Sequence, residues 1–167
     1  MSIKLDEKDS AILALIQENS NLTAKQIAKK INAPITTIFA KTKRMEELGI
    51  IKEYRAVLAS EKLGAGTTAF ILASVSYRAK ADDSPVSQRD VAEEIAKFPE
   101  VQEVHIITGD WDLLIKLRAE SVDAIGKFVV DKLRLIRGLK KTLTCMVFET
   151  VKETTKIILP LKKLGQK

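Results

Sequence analysis

Three short stretches of helical rhythm, each closed by its own stop signal, fill the first fifty residues and limit the possible folds more than any other feature. Asp6 stands where a helix cap belongs, and Ile12, Leu15 and Ile16 follow at the three- and four-residue spacing of one helix face. Asn19-Ser20-Asn21 breaks that rhythm. Thr23-Ala24-Lys25-Gln26 is a capping box, in which the Thr23 hydroxyl and the Gln26 amide each satisfy a backbone N–H left open at the helix start. Leu22, just before the cap, is placed to pack on Ile27 inside the helix. Ile27, Ala28 and Ile31 face inward until Asn32-Ala33-Pro34 stops this second helix. Pro34 suits the first turn of a third, which is predicted to run to Leu48 and end at Gly49. A short helix, a tight turn and a longer helix make a helix-turn-helix.

The third helix has two different faces. Ile38, Thr42 and Met45 take the inward spacing, while Thr36, Thr37, Ala40, Lys41 and Arg44 form the opposite stripe, with Lys43 beside it. In such a motif the second helix of the pair enters the major groove of double-stranded DNA with its N-terminal residues at base edges. Threonine can read bases or bond phosphate, lysine and arginine neutralise phosphate, and a small Ala40 permits close approach. The charge balance agrees, since 28 Lys+Arg against 22 Asp+Glu give a net charge of +6.

Composition excludes several other classes. With 46% hydrophobic and 30% charged residues the chain can bury a core, and 167 residues suffice for one large domain or two small ones. A single histidine, His105, rules out histidine-based triads and histidine-rich metal sites. A single cysteine, Cys145, forms no internal disulfide and is expected to be a small core residue in a reducing cytoplasm. No apolar run approaches the ~18–20 residues a membrane span needs, and the charged start carries no signal-peptide segment. Asp110 and Asp112, with Glu100 and Glu103 nearby, fall short of the ligand register of a calcium loop. The expectation is a cytoplasmic protein that is not an enzyme and uses no cofactor, metal or membrane.

Beyond Gly49 the rhythm changes. Ile50 to Leu58 is predicted as a strand and Ser60 to Gly66 as a linker. Gly64-Ala65-Gly66 precedes a strand, opens no helix and lacks a third glycine, so it reads as a hinge and not a dinucleotide fingerprint. From Thr67 the order is strand (Ala69 to Tyr77), polar loop (Ala79 to Pro85), helix (Ser87 to Phe98), strand (Val101 to Ile107), a Gly109-Asp110 turn, strand (Trp111 to Leu117), helix (Ser121 to Ile136, closed by Gly138) and strand (Leu143 to Val151). This βαββαβ order is the ferredoxin-like arrangement, with helices on one face of the sheet. The other face needs a cover, and a second subunit is the expected one. The predicted division is a helix-turn-helix domain over 1–50, strand and hinge over 51–66, a ferredoxin-like domain over 67–155 and a tail over 156–167.

In that order, these parts resemble the Lrp/AsnC family (leucine-responsive or feast/famine regulators) of bacteria and archaea, with the archaeal members the nearer guess. The residues that carry the resemblance are Leu5-Asp6-Glu7-Lys8-Asp9 with Ile12-Leu13, then Lys43-Arg44-Met45-Glu46-Glu47-Leu48-Gly49-Ile50-Ile51, Gly109-Asp110-Trp111-Asp112, and Thr142-Leu143-Thr144. They span about residues 3–152. The chain departs from the family pattern at Pro34, where a serine is usual, at Lys41, usually arginine, and at Thr42, usually apolar. The resemblance implies an α+β chain with a winged-type helix-turn-helix, acting as a transcription regulator. It also implies C-terminal domains that assemble as homodimers and often octamers, and a small effector, usually an amino acid, held at their interfaces. Gly109, Asp110, Asp112, Thr142 and Thr144 are the effector-site candidates: a glycine turn can offer N–H groups to a carboxylate, and Asp110 or Asp112 can accept from an ammonium. The competing expectation is an architectural protein that coats DNA without sensing an effector.

Overall fold

The computed structural model describes residues 4–76 and 85–159. Tyr77, nearly all of the expected polar loop from Ala79, and the tail from residue 160 lie outside the described residues. The chain divides into two compact units: 4–57 together with 153–159, and Leu58–Lys152.

In the first unit, α1 (Glu7–Glu18), α2 (Ala24–Ile31) and α3 (Ile35–Glu47) follow the expected signals closely. Both helix starts are reciprocal capping boxes, Asp6 with Asp9 on α1 and Thr23 with Gln26 on α2. Each satisfies two N–H groups that the helix itself cannot, a contribution of about 1 kcal/mol per cap. Asn32, at φ 50°, turns the chain from α2 into α3. At the far end of α3, Gly49 takes φ +67° while the N–H groups of Ile50 and Ile51 both bond the Met45 carbonyl. Ile12, Leu13, Ile27, Ile38 and Met45 form the buried core, rimmed by Leu5, Leu22, Ala28, Ile31, Ile50, Ile51 and Leu159.

Two expectations about this unit need correction. The stretch predicted as a strand, Ile50 to Leu58, forms none, and Val57 is 96% exposed. Its β-branched sequence suits a strand, but a strand requires a neighbour for its N–H and C=O groups, and none pairs with it among the described residues. The tail, in turn, joins the first unit from residue 153 and not from 156. The Gln17 amide brackets the Ile157 backbone, accepting its N–H at 2.7 Å and donating to its carbonyl at 3.2 Å, and Lys156 pairs with Glu18 at 2.7 Å.

The second unit has the βαββαβ order. β1 (Thr67–Val75), β2 (Val101–Ile106), β3 (Leu113–Ala119) and β4 (Leu139–Met146) form an antiparallel sheet in the order β2-β3-β1-β4. The core lies between this sheet and the helices α4 (Gln88–Ile95) and α5 (Val122–Lys127), with Ile71, Ala73, Ile115 and Leu117 meeting Val91, Ile95, Ile125 and Phe128. The second helix was expected to run unbroken to Ile136. It changes instead after Lys127 into a π turn (Phe128–Lys132) and a 3-10 turn (Leu133–Leu135). The wider turn, in which the Leu133 N–H reaches the Phe128 carbonyl, keeps Phe128, Val129, Leu133 and Ile136 all buried. Gly138 then reverses the chain at φ +88°, where a Cβ would stand 2.4 Å from Val86 Cγ1.

Among the described residues of this unit, no helix lies on the other face of the sheet. The pairing places Phe70 beside Cys145 and Leu72 beside both Leu114 and Leu143. Cys145 is therefore an exposed residue of this face and not the core residue expected: β4 alternates, and the core side falls to Thr142 and Thr144, opposite Ala73 and Ile71.

Candidate nucleic-acid interface and effector region

The outward stripe of α3 is only partly what its spacing suggests. Thr36 and Ala40 are exposed and Thr37 half-buried. Lys43 is open to solvent, 3.8 Å from Glu47 one turn on. Lys41 points elsewhere. Its ammonium lies 2.5 Å from Asp6 and 2.9 Å from Asp9, leaving the side chain 18% exposed. Arg44 leans the same way, 3.6 Å from Asp9, whose carboxylate is 1% exposed. The two acids of the α1 capping box thus brace α1 against α3, using the very cations expected to face DNA. The Lys41 hydrogen bond, then the Asp9 backbone N–H, hold the Asp6 carboxyl down at about 2. Burial alone would lower the pKa of Lys41, yet its bonds to Asp6 and Asp9 outweigh that and raise it. In this structure Lys41, expected to contact bases or phosphate, is paired with the two acids of α1.

The sequence reading passed over Ile35 and Phe39. They stand one turn apart on α3, 42% and 62% exposed. Beyond α3, the Tyr54 hydroxyl donates to Glu46 at 2.8 Å, and burial, aided by that carboxylate, pushes the phenol up to about 12.

In the second unit the turn between β2 and β3 has its expected shape, with Gly109 at φ +119° in open space and Asp110 exposed. Asp112 does not offer a free carboxylate. One oxygen accepts the Val75 N–H at 2.7 Å and the other the Gln88 amide at 2.6 Å, so this side chain pins β1 and the start of α4 to the turn. Asp112, expected to accept an ammonium, has both carboxylate oxygens engaged within the chain. Thr142 and Thr144 are half-buried on β4, separated from β3 by β1. Thr142 lines a shallow basic depression with Arg134, Leu139, Lys140 and Lys141, and the Lys141 ammonium lies 4.9 Å from the centre of the Trp111 ring. Sequence spacing held no sign of that last contact, since Trp111 lies in the β2–β3 turn and Lys141 on β4. Glu100 is held by Lys132, and Glu103 by His105 at 3.2 Å and Lys116 at 3.3 Å. Each of these pairings lowers its carboxyl pKa.

Residues 5–52 match a family model described as winged helix-turn-helix DNA-binding, and residues 68–157 match one described as the Lrp/AsnC ligand binding domain. An uncharacterized HTH-type transcriptional regulator of Pyrococcus abyssi is 45% identical over 149 residues, which cover 89% of this chain and 96% of that one. The chain belongs to the Lrp/AsnC family. The HTH-type transcriptional regulator FL11 of Pyrococcus horikoshii is 34% identical over 97% of this chain and 100% of its own. Among solved structures, a transcriptional regulator of Neisseria meningitidis in complex with L-Met superimposes with a TM-score of 0.84 at 30% identity, over 94% of this chain and 98% of that one. The chain is a sequence-specific DNA-binding transcription regulator of the Lrp/AsnC type with a ligand-binding domain, and not an enzyme. Among the described residues no helix is long and apolar enough to cross a membrane.

Proposed function

We propose that this Lrp/AsnC regulator works in the cytoplasm as a homodimer that lays α3 in the major groove, and that a free amino acid bound in its second unit shifts its hold on DNA. The observation that carries this reading is a ligand-binding match over residues 68–157 on a sheet with one face that carries an exposed Phe70 and Leu143 beside a half-buried Leu72 and Leu114. A row of apolar side chains on a sheet is stabilised by a second such row, and a two-fold axis supplies it without any further partner. Pairs of dimers in an octamer would extend the same logic. The methionine complex of the Neisseria meningitidis relative supports an amino-acid effector. Within this chain, Gly109 and the free carboxylate of Asp110 on one side, and Thr142 with Thr144 on the other, are the groups we assign to it. Lys141 and Arg134, which line the depression with Thr142, add cations that suit the effector's carboxylate. Thr36, Thr37, Ala40 and Lys43 remain the proposed DNA-facing residues of the original stripe, with Arg44 shared between Asp9 and phosphate.

The test is sedimentation and calorimetry on the full chain. The 18.5 kDa protein should sediment as a dimer or a multiple of it. Leu114→Glu should release monomers and weaken DNA binding at least tenfold, because two linked recognition helices are needed for two half-sites. One or a few of the twenty amino acids should give heat, and Asp110→Ala should lose it. A monomeric wild-type chain would end the dimer reading. A wild-type chain that binds none of the twenty would end the amino-acid reading.

A further inference from the structure

We infer that this chain recognises its operator largely through thymine methyl groups, met in the major groove by Phe39 and Ile35 of α3. The inference rests on the reading of α3 as the groove-facing helix and specifies what that helix reads. In the major groove, guanine is read best by a two-pronged arginine or by lysine, adenine by asparagine or glutamine, and thymine by apolar contact with its C5 methyl. On α3 the first option is reduced to the exposed Lys43 and a half-exposed Arg44. Lys41 is bound by Asp6 and Asp9 with its side chain 18% exposed, and the Arg44 guanidinium leans on the same buried Asp9. The helix sequence Ile35–Glu47 contains neither asparagine nor glutamine. Its outward N-terminal half presents instead Ile35, Thr36, Phe39 and Ala40, two large apolar side chains one turn apart with a hydroxyl and a methyl between them. Neither Ile35 nor Phe39 belongs to the core that Ile38 and Met45 enter.

The charges around this patch suit a nucleic acid better than an apolar protein surface. Lys29 and Lys30 end α2 and Lys43 follows on α3, all exposed and placed to meet phosphate on either side of a groove. An exposed phenylalanine with Lys43 one turn further along the helix gains by burial against the one apolar group that a duplex offers along its major groove. A single methyl buried in this way is worth about fourfold in affinity.

The experiment begins with duplexes that the full-length chain selects from a library with a random core. Each thymine of a selected site is then replaced, one at a time, by deoxyuridine, which differs only in lacking the C5 methyl. We expect about a fourfold loss at one or two positions of each half-site and none elsewhere. Phe39→Ala, at a residue too exposed to hold the fold, should bind the thymine duplex about four- to tenfold more weakly and no longer respond to deoxyuridine at the position it contacts. Phe39→Leu, which keeps an apolar side chain, should retain a response. Enrichment of a site with no deoxyuridine effect would overturn this inference and leave the DNA-facing reading of α3 standing. A deoxyuridine response that persists in Phe39→Ala and Ile35→Ala alike would also overturn it. So would a change in sedimentation of the free Phe39→Ala protein with unaltered site selection, since the patch would then be docking a second copy. A chain that enriches no duplex would remove the groove-facing reading and the inference together.

Discussion

Five buried apolar side chains, Ile12, Leu13, Ile27, Ile38 and Met45, hold the three helices of the DNA-binding unit, against fourteen in the sheet unit. At about 1.5–3 kcal/mol for each large side chain removed from water, the smaller set leaves little margin over the entropy of ordering some fifty residues. The helical unit makes up the difference with polar bracing. Two capping boxes fix its helix starts, and the buried Asp9 locks α1 to Lys41 and Arg44 of α3. The sheet unit has the larger core yet leaves Phe70 and Leu143 exposed on one face of its sheet. One unit is thinly held; the other is well held but shows apolar side chains to solvent. A division of this kind suits a regulator whose second unit assembles and whose first unit reads DNA.

The most damaging way to break that comparison is Asp9→Ala. It removes the buried carboxylate that serves the cap, Lys41 and Arg44 together, and should cost about 3 kcal/mol, the range for breaking a buried pair. Peptide-resolved hydrogen exchange should show α1 and α3 losing protection while β1 and β3 keep theirs. Equal loss in both units would mean that they unfold as one body.

Gly138→Ala puts the reverse question to the sheet unit. A side chain there must adopt φ +88° and push aside Val86, whose Cγ1 would stand 2.4 Å away. The expected cost is about 2 kcal/mol, from backbone strain and displaced packing, read as faster exchange in β4 and α4 with the helix-turn-helix untouched.

Smaller, and opposite in sign, is Thr42→Val. Thr42 takes the inward position its spacing suggests, but its hydroxyl is buried with no hydrogen-bond partner among the described residues. Replacing it with a methyl of the same shape removes that burden and should raise the stability of the helical unit by about 1 kcal/mol. A lower midpoint in thermal unfolding would show that the hydroxyl has a partner after all.

The parts of the molecule written in local chemistry were legible in the sequence. Thr23 and Gln26 announce a helix start within four residues, Gly49 and Gly138 announce ends, and the succession of strand-like and helical runs from Thr67 announces the βαββαβ order. What was not legible depends on partners far along the chain. Lys41 looked like a DNA contact because helical spacing places it outward. Spacing cannot tell a cation that faces DNA from one that folds back onto carboxylates 32 and 35 residues earlier. Asp112 looked free because its acceptors' donors, Val75 and Gln88, lie 37 and 24 residues away. Ile50 to Leu58 looked like a strand because β-propensity is a property of the segment, whereas pairing is a property of its neighbours. Phe39 was overlooked for a related reason: an aromatic residue beside Ile38 is easily assigned to the core, and only its exposure separates the two.

The smallest expected effect concerns acid, and it separates the two units by the carboxylates each depends on. Asp6 ionises at about 2 in the folded chain against an ordinary 3.8, chiefly because Lys41 bonds its charged form. A carboxyl depressed on folding contributes stability above its unfolded value and loses it as pH falls toward its folded value. The helical unit should therefore weaken between about pH 4 and pH 2. The Asp6 side chain is 59% exposed, so water and salt screen the pair and the contribution stays under about 1 kcal/mol. Asp6→Asn should flatten the acid dependence of exchange in α1 and α3. It should leave that of β2 and β3 as it was, because their acid sensitivity comes from Glu100 and Glu103, lowered by Lys132 and by His105 with Lys116. Added salt at pH 5 should reduce the Asp6 contribution as well, while the buried Asp9 contacts resist it. An unchanged acid profile in Asp6→Asn would show that the helical unit owes none of its acid dependence to the Asp6–Lys41 pair.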